Sequence, residues 1–149
     1  MTAFVTTGAG FLLAVLWFDL MFDVQVLRYQ ERNLPEDVLA SIAGYYRRVT
    51  TAARPMNRLI ATFMLATIVA IVAQLARGDE PRLVGWVSLV LATAAILLAA
   101  AHTVPSAVRL GARTDAIDQQ SRLARSICRD HVLCAVAITA LLAVQLTFA

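Results

Sequence analysis

Two aspartates four residues apart, Asp19 and Asp23, stand inside the stretch LWFDLMFDVQV, at the end of a run that is otherwise apolar. Positions i and i+4 share one face of a helix, so both carboxylates project from the same side of a rod. In a poorly solvated place two close carboxylates do not both ionise freely: one keeps a proton, or an arginine or cation compensates. Groups able to compensate or to take the proton occur at the matching ends of the other apolar runs. Arg54, Asn57 and Arg58 precede the second, His102 closes the third, and Asp130-His131 opens the last. An acid or imidazole here could move a proton, the guanidinium could hold an enolate or phenolate, and aromatic neighbours could wall an apolar ligand. Asp19, Asp23, His102 and His131 are therefore the catalytic candidates, and Trp17, Phe18, Phe22, Asn57 and Arg58 the ligand-contacting ones. The plainer reading is that Arg58 pairs with one of the acids to pin helices together while the histidines hydrogen-bond at helix ends. An acid that deep in an apolar run is nonetheless a functional candidate by default.

Cofactor and metal content stay open at this level. Two carboxylates and two imidazoles suit zinc, iron or manganese by ligand type, but their spacing is not diagnostic and no Glu-x-x-His pair occurs. A haem held by His102 and His131 is a further option. Cys128 and Cys134 on one continuous helix lie about 9 Å apart along its axis, beyond the Cα separation of about 4.4–6.8 Å that a disulfide needs. They read as small packing residues. Gln74 and Gln145 fall within apolar runs, where hydrogen bonding between helices is the ordinary role.

The elements that must position these groups are membrane helices. The chain has 149 residues, of which 60% are hydrophobic, and a mean hydropathy of +0.71, too apolar for an ordinary soluble domain. Four runs, at about 3–27, 59–76, 83–102 and 132–149, approach or exceed the ~20 residues of a spanning helix. The expected fold is all-α: one integral membrane four-helix bundle over residues 1–149. The first run lacks the basic start of a cleavable signal and is expected to remain in the mature protein. The 13 basic residues are all arginine, six within 28–58 and five within 109–129, whereas Arg77 and Arg82 are offset by Asp79 and Glu80. The positive-inside rule then sets both longer connections in the cytoplasm and both termini outside. Segregated charge without a basic stripe among exposed aromatics argues against nucleic acid.

Both cytoplasmic connections read as helical, at about 35–53 and 106–131. In the first, Asn33-Leu34-Pro35-Glu36-Asp37 has the residue types of a helix start. Val38, Ile42, Tyr45, Tyr46 and Val49 follow as an apolar stripe, with Arg47 and Arg48 placed to reach lipid headgroups. In the second, Pro105 ends or kinks the third helix and removes a hydrogen bond from the carbonyl of Ala101.

The order of four spans, the exit His102-Thr103-Val104-Pro105 and the later Asp130-His131 together resemble the DUF1772 or anthrone-oxygenase-like family of small four-helix bacterial membrane proteins. That resemblance implies a bacterial-type inner (plasma) membrane, a role for His131 as the last-helix histidine, and an aromatic polyketide-like or quinone-like substrate. Two functions stand side by side. The chain binds, and in one form oxidises, an apolar small molecule at the acid, arginine and histidine cluster. Alternatively it is a non-catalytic accessory or assembly subunit that docks a partner protein, or a second copy of itself, through its cytoplasmic helices. Whether it is an enzyme is left open.

Overall fold

Unbroken stretches of leucine, valine and alanine make rods, and the four prolines fall where rods start or bend. The computed structural model describes residues 1–52, 54–78 and 81–148, with the side chain of Arg54 excepted. The helices are α1 (Thr2–Asp23), α2 (Glu36–Tyr46), α3 (Arg54–Arg77), α4 (Arg82–Leu98), α5 (Val104–Ala112) and α6 (Ile117–Phe148). Pro35 and Pro81 stand immediately before α2 and α4, with φ of −57° and −54°, and Pro55 sits in the first turn of α3, where its missing N–H deprives nothing. Among the described residues there is no strand. Four helices are long and apolar enough to cross a membrane: Thr2–Arg28, Pro55–Arg77, Arg82–Ala112 and Ile117–Phe148. The protein is an all-α polytopic membrane bundle. Asp79, Glu80, the Arg54 side chain and the final residue of the last apolar run lie outside the described residues.

Three local departures shape the arginine-bearing end. α1 tightens into a 3₁₀ turn at Val24–Arg28. α2 widens into a π-helical turn at Arg47–Ala52 before α3 begins. A second π-turn, Ala99–Thr103, joins α4 to α5 just ahead of Pro105, the sort of loosening that a ring without an N–H imposes on the preceding turn. The stretch 106–131 therefore divides into the tail of the α4–α5 rod, a break after Ala112, and the first turns of α6. Arg113 takes the left-handed conformation at that break, with φ of 56°.

Four rods form a ring in which α1 touches α6 and α3, and α4 touches α6 and α3. Their shared interior is one apolar core, built around Val5, Ala9, Ile71, Ala92, Ile138 and Leu141. α1 and α3 approach closely because Gly8 has no side chain: a Cβ there would lie 2.2 Å from Thr67 Oγ1. A second core, around Leu34, Leu39, Ile42, Leu110 and Ile127, lies at the arginine-bearing end, where α2 packs on α5 and on the first turns of α6. α6 runs through both. Its 32 residues rise about 48 Å, against a hydrocarbon core of about 30 Å.

At the end of the bundle where α3 connects to α4, Gln74 and Gln145 exchange side-chain hydrogen bonds of 3.2 and 3.3 Å, and Gln145 donates to Ser88 Oγ at 2.9 Å. These groups bind α3, α6 and α4 to one another. At the arginine end, Arg125 closes the link from α1 to α2. Its guanidinium donates to the carbonyls of Val26, Tyr29 and Glu31 at 3.3, 2.9 and 2.7 Å, supplying donors to carbonyls left open where α1 ends.

Candidate functional site

Between the two apolar cores lies a seam of polar side chains. Asp23, at the last turn of α1, is fully buried, and His131 of α6 is buried against it. His131 Nδ1 is 2.6 Å from Asp23 Oδ2, and the hydroxyl of Tyr46 donates to Asp23 Oδ1 at 2.6 Å. One turn earlier on α1, Asp19 accepts from the Tyr45 hydroxyl at 2.7 Å and lies 3.7 Å from His131 Nε2. The imidazole thus sits between two carboxylates, one off each ring nitrogen. The i, i+4 spacing that put both acids on one face of α1 is what lets a single residue of α6 meet them both.

Tyr45 and Tyr46 reach the seam from the end of α2. Burial, and then the neighbouring charges of Asp19 and Asp23, push both phenols above the usual tyrosine range. They remain protonated donors. An aromatic side chain that is otherwise buried must find a partner for its hydroxyl, and these two find the carboxylates of α1. Phe22 stacks on Tyr45 with ring centroids 4.2 Å apart, covering the Asp19 contact from one side.

A second pairing lies beside the first on α6. Asp130 is buried, and it meets His102 Nδ1 at 2.5 Å, the Thr103 hydroxyl at 3.3 Å and an Arg129 guanidinium nitrogen at 3.6 Å. The π-turn before Pro105 places both α4-side partners, since it carries His102 and Thr103 together onto the Asp130 face. Thr103 also donates to the carbonyl of Leu98 at 3.3 Å.

The structure therefore unites Asp19, Asp23 and His131, and adds Tyr45, Tyr46 and Asp130. His102 bonds Asp130 and not the acids of α1, and its side chain is half exposed. Arg58 and Asn57 do not enter the seam. Both are exposed, and Asn57 instead donates to the carbonyl of Thr50 at 2.6 Å. Sequence sets how far along α3 an arginine lies but not the direction in which it leaves the rod, and Arg58 leaves it outward. Trp17 and Phe18, 68% and 61% exposed, also point away from the bundle.

Among the described residues no group of three or more histidine, cysteine, aspartate or glutamate side chains is arranged to hold a metal ion. The reason is visible at His131. Asp23 and Asp19 lie off opposite edges of one ring, so their oxygens and a ring nitrogen do not converge on a single point at bonds of about 2 Å. A groove of about 460 Å³ on the outer surface of α1 and α6 is lined by Leu20, Val132, Ala135, Val136, Thr139 and Ala143 among others. No acid, histidine or arginine lines it.

The sequence has one informative likeness. A family model described as ER membrane protein SH3, that of the SHR3 chaperones, matches residues 1–148. The chain belongs to this family. No curated protein and no solved structure matches it. Membership in the SHR3 chaperone family corrects the resemblance to DUF1772 and the anthrone-oxygenase-like proteins. That resemblance rested on His102-Thr103-Val104-Pro105 and Asp130-His131, residues that in this SHR3-family chain pair α4, α6 and α1 with one another. The family's description as an ER membrane protein likewise corrects the expected bacterial-type inner membrane.

Proposed function

We propose that the chain is an accessory protein of the endoplasmic-reticulum membrane, of chaperone type, that holds a partner membrane protein. The observation that carries this reading is the family match along nearly the whole chain. The geometry supports it. Asp19, Asp23, Asp130, His102 and His131 are partnered among themselves and with tyrosine and threonine, which is how a bundle locks its register. The open surface groove is apolar and floored by small residues of α6, a surface against which another membrane helix packs closely. The aromatic or quinone-like substrate loses its footing with the family resemblance that implied it, and Arg58, the residue read as holding it, is exposed outside the seam.

The test is a comparison of cells with and without the chain, scored by surface proteomics of polytopic membrane proteins and by imaging of those that change. The expected result is a subset of polytopic proteins depleted at the surface and retained in the endoplasmic reticulum, restored by re-expression. An unchanged surface population, with purified protein that turns over quinones or polyphenols, would overturn the reading.

A further inference from the structure

Most described arginines at the charged end are already engaged. Arg32 and Arg122 meet Asp118, Arg109 meets Asp115, Arg113 meets Glu36, and Arg129 meets Asp130, while Arg125 is held by the three carbonyls described above. Arg47, Arg48 and Arg58 differ, as does Arg28 at the end of α1. All are exposed, and among the described residues none has a carboxylate partner.

Arg47, Arg48 and Arg58 belong to one corner, the π-turn between α2 and α3. A Cβ on Gly111 would lie 3.0 Å from the backbone nitrogen of Arg47, so α5 packs directly on that backbone and the Arg47 and Arg48 side chains are exposed away from it. The bond from Asn57 to the Thr50 carbonyl folds the first turn of α3 back onto the π-turn, and Arg58 follows Asn57 in that turn. The corner also marks the edge of the apolar zone. The second span, that of α3, begins at Pro55, and Met56 and Leu59, close to Arg58 in the chain, have exposed side chains.

We propose that this corner is a binding site for the phosphate-bearing headgroup of an anionic phospholipid. Three exposed like charges on one π-turn and the helix turn bonded to it, at the edge of an apolar span, favour the entry of an anion. Guanidinium groups clasp phosphate through paired N–H donors, and Met56 and Leu59 lie where acyl chains run. A zwitterionic headgroup brings its own cation and neutralises the corner less.

The test uses the full chain in nonionic detergent, with phosphatidylinositol or phosphatidylcholine titrated in and bound lipid counted by native mass spectrometry. At about 1 kcal/mol for each basic residue near a membrane surface, replacing all three by glutamine (R47Q/R48Q/R58Q) lowers phosphatidylinositol affinity about a hundredfold. The control R109Q/R113Q/R122Q, which removes the same charge from arginines already paired, changes it only a few-fold. Excess inorganic phosphate leaves the wild-type lipid complex intact. Equal retention of the two lipids by the wild type, an equal loss in the control, or displacement by inorganic phosphate would overturn the assignment. Should the triple variant melt early, R58Q alone and the wild-type preference between the two lipids decide the matter.

Discussion

Removing the imidazole of His131 tests whether the seam holds the fold together. In His131→Leu, Asp23 keeps the Tyr46 hydroxyl but loses its partner at 2.6 Å, and Asp19 loses the group 3.7 Å away. Asp23 is fully buried, so the variant leaves its carboxyl group in an apolar place without that partner. Breaking one side of a buried pair typically destabilises by about 3–5 kcal/mol, roughly two to four orders of magnitude in the unfolding equilibrium. For a chain of this length that is a fall in Tm of about 6–20 °C. The same physics makes a second demand. In the triple variant Asp23→Leu, His131→Leu and Tyr46→Phe the three groups around Asp23 go together and Asp19 keeps the Tyr45 hydroxyl, and replacing a buried pair by apolar groups of similar size is often neutral. The triple variant should therefore recover most of what the single one loses.

Thermal unfolding in detergent, followed by intrinsic tryptophan fluorescence, measures both variants. If His131→Leu melts within a degree or two of wild type, the seam is not a lock. If the triple variant melts no higher than the single one, the loss came from packing and not from a stranded charge.

Two further outcomes follow from neighbouring parts of the structure. Arg125→Ala frees three carbonyls in the link between α1 and α2, so limited trypsin digestion should cut after Arg28 or Arg32 several times faster, with the rest of the chain protected as before; an unchanged cutting rate would mean the clamp is idle. The raised Tyr45 and Tyr46 phenols add stability that is complete below the unfolded tyrosine value of 10.0. Above it the unfolded chain releases protons that the folded chain keeps, so the unfolding free energy should fall as pH rises past 10, by up to about 1.4 kcal/mol per pH unit for each tyrosine, and Tm should fall with it. Tyr46→Phe should flatten that slope, and a Tm independent of pH up to 11.5 (~1.5 units above the free phenol) would count against the buried hydrogen bonds.

The helical, membrane-spanning character of the chain was legible because it follows from composition and run length, which no tertiary context alters. The pairing of Asp19 and Asp23 with His131 was legible in part: residue type and depth bring an imidazole and two acids to one end of the bundle. Azimuth was not legible. Arg58 and His131 lie at similar sequence depth, yet only one of them faces the interior, because helix rotation depends on packing that includes Gly8 of α1 against Thr67 of α3. Tyr45 and Tyr46 were hidden for another reason. At helical spacing with Val38 and Ile42 a tyrosine counts as apolar, and its hydroxyl becomes chemistry only when an acceptor such as Asp23 is set before it. The surplus of acid on α1, with no arginine inside the same run, was the available signal that some buried donor had to arrive from elsewhere. The order of four spans and six residues around His102 and Asp130 do not separate one family of four-span proteins from another, whereas the SHR3 family model matches residues 1–148.

The seam also bears on how a holding protein would act. Two apolar cores stacked end to end could slide or rotate against each other at little cost, since apolar contact is not directional. Hydrogen bonds to buried carboxylates are directional, and leaving one unmade is expensive. Tyr45 and Tyr46 tie α2 to α1 through one pair of acids, and His131 ties those acids to α6, the one rod that runs through both cores. A partner that displaced α2 would have to break those bonds, and breaking them would strand charge at the top of the membrane core. Docking at the charged end and the packing of the four spans are thereby linked through one layer. If the accessory reading holds, a seam variant that still folds, such as the triple apolar replacement, should lose that linkage and keep the bundle.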